Sequence, residues 1–129
     1  MSRNENTKGA VLVLTTTADD DSALALSRQL VEEGLAACVS RTAVKSVFRW
    51  EPAPTAQADR REKLSEKLSG MNICEENEVQ LVIKTSRARA AALESRLLDL
   101  HPYDCPELIR IEPEHVDEKY LAWLLVACE

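Results

Sequence analysis

The run AVLVLTT, Ala10 to Thr16, is an unbroken series of apolar and β-branched residues, the pattern of a strand covered on both faces. It constrains the fold more than any other stretch, because such a strand belongs in the middle of a sheet with further layers packed on it. Asp19, Asp20 and Asp21 follow it, supplying an N-cap and first-turn acids. Ala23, Leu26, Leu30, Val31 and Gly34 then recur at helical spacing, with Gly34 placed as a C-cap. The first two elements are therefore a central strand and a helix.

LAACVSRTAVKSVFRW, Leu35 to Trp50, opens with small apolar residues and then alternates. Val44, Ser46, Phe48 and Trp50 point one way and Lys45, Val47 and Arg49 the other, as in a long strand with one wetter face. EVQLVIKT, Glu78 to Thr85, predicts a third strand. Ser86 is placed to cap a second helix with the stripe Ala90, Leu93, Leu97 and Leu100, which ends where His101 meets Pro102, since a residue before proline disfavours the α region. ELIRI, Glu107 to Ile111, predicts a fourth strand with Ile109 and Ile111 on one face. From Asp117 onward, Tyr120, Leu121, Leu124, Leu125 and Cys128 form the stripe of a terminal helix.

The order strand, helix, strand, strand, helix, strand and extra helix matches an α+β, ferredoxin-like β-α-β-β-α-β sandwich. Its helices lie on one face of the sheet, so the other face, with Phe48 and Trp50, needs cover, most simply by self-association. Trp123 adds to this expectation. It lies well over 100° from the Leu121, Leu124 and Leu125 stripe at about 100° per residue, on a second face shared with Val116 and Ala127. The alternative is that Trp123 packs on a loop of its own subunit.

A chain of 129 residues fits one domain, taken as 10–129 after a loose polar tail at 1–9. The start, MSRNENTKGA, has no apolar stretch of the kind a secretory signal carries, and no apolar run approaches the roughly 18 residues of a membrane span. The expectation is a cytoplasmic protein without a membrane partner. Twenty-two acidic against 16 basic residues give a net charge of -6, which disfavours nucleic acid. Four scattered cysteines without a C-x-x-C pair indicate neither a zinc knuckle nor a disulfide framework and favour a reducing compartment.

Between the second and third strands, Glu51 to Asn77 is the least orderly stretch. Pro52 and Pro54 break the strand, and DRREKLSEKLSG has the makings of a short helix stopped by Gly70. It is read as a surface loop insertion at about 52–74. Cys74 on it is incidental rather than reactive, because Glu75, Glu76 and Glu78 supply the opposite of an electropositive setting.

LHPYDCPELI, Leu100 to Ile109, holds the richest chemistry. Copper and zinc sites generally take three or four ligands. His101, Tyr103, Asp104, Cys105 and Glu107 sit in an extended, proline-restricted segment whose alternate side chains point apart, so a metal site needs residues from another strand or subunit. His101 reads either as a ligand or as a helix-end residue bonding the last carbonyls. Cys38 reads as buried packing or as a soft-metal contact; Cys105 fits both. Glu107 is a strand-end salt-bridge partner of Lys84 or Arg49, or a recognition group that Pro102 and Pro106 hold rigid beside Tyr103. No nucleophile and base stand together, so no catalytic residues are assigned and an enzyme is not expected.

EEGLAACV (Glu32 to Val39), FRWE (Phe48 to Glu51), VIKT (Val82 to Thr85), HPYDCPEL (His101 to Leu108) and YLAWLL (Tyr120 to Leu125) together resemble the CutA, or divalent-cation tolerance, family. The resemblance spans about Val11 to Leu125. It implies a ferredoxin-like subunit in a tight homotrimer, cytosolic and linked to tolerance of copper and other divalent ions, with no obligatory cofactor. It also implies a crevice between subunits bounded by Trp50, Lys84, His101, Tyr103, Glu107 and Trp123, whose aromatic walls and few charges suit a small anionic or zwitterionic ligand as well as a metal. The resemblance also implies that some metal-binding bacterial members use a cysteine and two consecutive histidines at positions that here are Thr15, Leu100 and His101, of which only His101 remains. The metal candidates are therefore His101, Cys38 and Glu107, and the ligand-binding candidates Trp50, Lys84, Tyr103 and Trp123. Two functions are expected as alternatives, a copper-binding tolerance protein and a PII-like signalling trimer that binds a small ligand. In the family a tight glycine hairpin usually joins the second and third strands, and here a loop longer by roughly twenty residues replaces it, within what surface loops tolerate.

Overall fold

A computed structural model describes residues 9–49 and 73–129. Trp50 and most of the expected 52–74 insertion, with its helix at 59–69, lie outside the described residues. The elements are β1 (Ala10–Thr17), α1 (Asp20–Glu32), β2 (Cys38–Arg49), β3 (Ile73–Ser86), α2 (Ala90–Leu100), β4 (Ile109–Ile111) and α3 (Glu118–Ala127). The four strands form one sheet in the order β2-β3-β1-β4, and every pairing is antiparallel. This is the ferredoxin-like arrangement, with the first strand at the centre as its apolar run predicts.

Alternation along the strands sorts the sheet into two faces. Val11, Val13, Thr15 and Thr17 of β1 and Leu81, Ile83 and Thr85 of β3 are fully buried. Val13, Leu81 and Ile83 pack with Leu26 and Leu30 of α1 and with Leu93 and Leu97 of α2 as the main core. Each such aliphatic side chain contributes about 1.5–3 kcal/mol when withdrawn from water. The opposite face carries Leu12, Leu14, Val82, Ile109 and Ile111, aligned by the pairs Leu12↔Lys84, Leu14↔Val82, Leu12↔Ile111 and Leu14↔Ile109. No helix of the main core covers it, and Ile109 and Ile111 are 48% and 41% exposed.

α1 begins and ends as its sequence predicts. The Asp19 carboxylate accepts from the Ser22 N–H at 2.8 Å. At the other end Gly34 takes φ 73, and the Leu35 N–H donates to Leu30 O while the Gly34 N–H donates to Val31 O, the paired bonds of a Schellman stop. α1 is tied to α2 by Arg96, whose guanidinium grips Glu33 with Nε–Oε1 at 2.9 Å and a terminal nitrogen–Oε2 at 2.8 Å.

Three boundaries differ from expectation. β3 starts at Ile73, five residues before Glu78, because Ile73 to Asn77 continue the β2 ladder through Lys45↔Asn77 to Arg49↔Ile73; Glu75, Glu76 and Asn77 are polar on both faces, so the stretch lacks the apolar alternation that marks a strand. α2 starts at Ala90 with Arg89 as its N-cap, and Ser86 Oγ instead accepts from the Arg89 N–H one turn earlier. β4 is confined to Ile109–Ile111, because only those residues pair with β1. Val116 also departs from its expected face. It joins Ala10, Leu124 and Cys128 in a second, smaller core where α3 meets the Ala10 end of the sheet.

Candidate functional site

The segment between α2 and β4 is built around His101. Its helix ends in an extended conformation (φ -68, ψ 133) ahead of Pro102, which swings the imidazole, 7% exposed, back against the sheet. Nε2 lies 2.8 Å from Thr16 O, and Nδ1 accepts from the Tyr103 N–H at 3.0 Å. Since Nδ1 accepts, the proton sits on Nε2 and is donated to Thr16 O, so both ring nitrogens are engaged within the chain. Burial holds the His101 pKa below its ordinary value, against the opposing pull of Thr16 O and Glu78. The ring thus does not bond the last helix carbonyls. It joins the loop to β1.

Tyr103 is held by this contact and by its ring, 4.8 Å from the imidazole centroid. Its hydroxyl donates to Glu78 Oε2 at 2.9 Å. Burial, the Glu78 hydrogen bond and the surrounding acids push the phenol pKa up to about 12. The chain bends through 102–105 instead of running extended. The expected divergence of alternate side chains therefore fails, and Tyr103, Asp104, Cys105 and Glu107 all line one hollow on the sheet face away from α1 and α2. Two restricted proline φ angles and a His101 ring that caps the Tyr103 N–H from two residues back account for the fold-back.

The hollow measures about 580 Å³ and is completed by Thr16 of β1 and Ala18 just after it, Ser46 and Phe48 of β2, and Glu76, Asn77 and Glu78 of β3. Glu107 Oε2 is shut off from solvent and has no hydrogen-bond partner among the described residues, so neither Lys84 nor Arg49 bonds that oxygen. Glu76 and Glu78 escape a sequence reading that starts β3 at Glu78. Had the strand been carried back to Ile73, the period of two would have put Glu76, Glu78, Ser46 and Phe48 on one face.

The remaining candidates lie at the other end of the sheet. Cys38 pairs with Lys84, and Lys84 with Leu12, four residues of β1 away from Thr16, roughly 13 Å at strand rise. Cys38 is half-buried rather than core. Trp123 belongs to α3 near Ala10; it is 48% exposed and stacks on Tyr120 at 5.5 Å, so no loop among the described residues encloses it. One chain therefore brings His101, Tyr103 and Glu107 together and leaves Lys84, Cys38 and Trp123 apart from them. Among the described residues, no three His, Cys, Asp or Glu side chains are grouped to hold a metal ion. Thr15 points under the helices and is fully buried. Cys74 lies in β3 opposite Phe48, and Cys128 is buried with Sγ 3.6 Å from Thr85 Oγ1.

This chain matches the family model described as CutA1 divalent ion tolerance protein over residues 11–62 and 70–126. It is 31% identical over 115 residues to the divalent-cation tolerance protein CutA of Pyrococcus horikoshii, covering 89% of this chain and 94% of that one. With the protein of the same name from Pectobacterium atrosepticum it shares 34% over 116 residues, covering 89% and 88%. The solved structure of CutA from Synechococcus elongatus superposes with a TM-score of 0.77 at 31% identity, covering 95% of this chain and 93% of that one. The family model over most of the chain and these likenesses agree: the chain belongs to the CutA1 divalent ion tolerance protein family.

Proposed function

We propose that the protein is a cytosolic homotrimer that serves divalent-cation tolerance by binding rather than by catalysis. The observation that carries this reading is the bare back of the sheet, where Leu12, Leu14, Val82 and the exposed Ile109 and Ile111 form an apolar face. Such a face is costly to leave in water and marks an association surface. A second subunit also supplies what one chain lacks, since it can bring the Lys84, Cys38 and Trp123 end of one sheet toward the Tyr103 and Glu107 end of another. Light scattering at micromolar concentration tests assembly, with a threefold mass expected and a lone-chain mass overturning it. Support for a reducing compartment comes from the four cysteines, all free thiols. A structural relative from Archaeoglobus fulgidus, 22% identical, is described as periplasmic, so cell fractionation is the deciding measurement for location.

Two modes of action fit that assembly. In the first, copper binds directly, with His101, Cys38 and Glu107 as candidate ligands drawn from different subunits; His101 then has to release the Tyr103 N–H or give up its bond to Thr16. In the second, a small ligand sits at the subunit boundary in the manner of PII-type trimers and metal effects are indirect. The roomy hollow beside Tyr103 favours the second. Calorimetric titration with copper separates them: stoichiometric tight binding lost in His101→Ala supports direct metal binding, and its absence leaves the small ligand.

A further inference from the structure

We draw no further inference here: the strongest candidate, the groove between α1 and the edge strand β2 lined by Leu24, Val31 and Val39, has its two arginines, Arg28 and Arg41, already paired with Glu32 and Asp20, and nothing in the structure shows what covers it.

Discussion

His101 and Tyr103 show how much one side chain's surroundings decide. His101 looks like a metal ligand when read by residue type, yet both nitrogens are committed to Thr16 O and the Tyr103 N–H. Because burial lowers its pKa below 6.5, the unfolded chain takes up the proton first as pH falls. The stability this group contributes is complete above pH 6.5 and is lost as pH drops toward the depressed folded pKa. Urea midpoints measured across that range should fall with acidification in the parent and stay flatter in His101→Ala, which itself should cost about 1–3 kcal/mol by stranding its partners. Tyr103 works in the opposite direction. With its pKa raised from 10.0 to about 12, the native state holds the phenolic proton that the unfolded chain sheds first, so stability falls as pH rises between those values. Ultraviolet titration should find one of the two tyrosines ionising near pH 12, and this late step should vanish in Tyr103→Phe.

Among the elements, α1 is legible in the sequence because its signals are local. An aspartate cap, two first-turn acids and a glycine that needs no Cβ at φ 73 are choices a short stretch makes by itself. Gly34→Ala meets only an ordinary van der Waals contact, Glu129 O at 3.6 Å, so its cost is conformational, about 1 kcal/mol, readable as a lower urea midpoint with unchanged fold by circular dichroism. The Glu33–Arg96 clasp between α1 and α2 depends on two residues 63 apart, and no local pattern announces it. Hydrogen bonds from Arg96, then Gln29, lower the Glu33 pKa from 4.5 to about 2, so its contribution persists above pH 4.5 and disappears as pH falls toward 2. Both side chains are substantially exposed, so salt should weaken the clasp. The ribbon end at 73–77 reads as loop in the sequence for the converse reason: its strand character comes from pairing with β2, not from its own alternation.

At the scale of the whole molecule, the unfinished surface is the main fact. α3 hides Leu124 and Cys128 but leaves Tyr120, Trp123 and Val126 outward, at 39%, 48% and 67% exposure. In the proposed trimer, roughly half of Trp123 is left for a partner to bury, an area of ~100 Å² worth about 2 kcal/mol before ordering costs. Trp123→Ala should weaken the assembly about tenfold or more, visible as dissociation on dilution by light scattering, while leaving the thermal unfolding of the subunit cooperative.

Element order, the central place of Ala10 to Thr17, the helix stripes and the family motifs follow from the sequence alone, because periodicity and capping are written in neighbouring residues. The family resemblance also singles out Tyr103 and Glu107; the crevice it implies with Lys84 and Trp123 is one between subunits, and within a single chain those residues stand apart. Only the tertiary structure decided that 102–105 folds back, that Glu76 and Glu78 line one hollow with Tyr103, and that one oxygen of Glu107 is shut from water with no partner among the described residues. Those facts depend on which distant segments are pressed together, and solvent exclusion, unlike helical spacing, is a property of the packed whole.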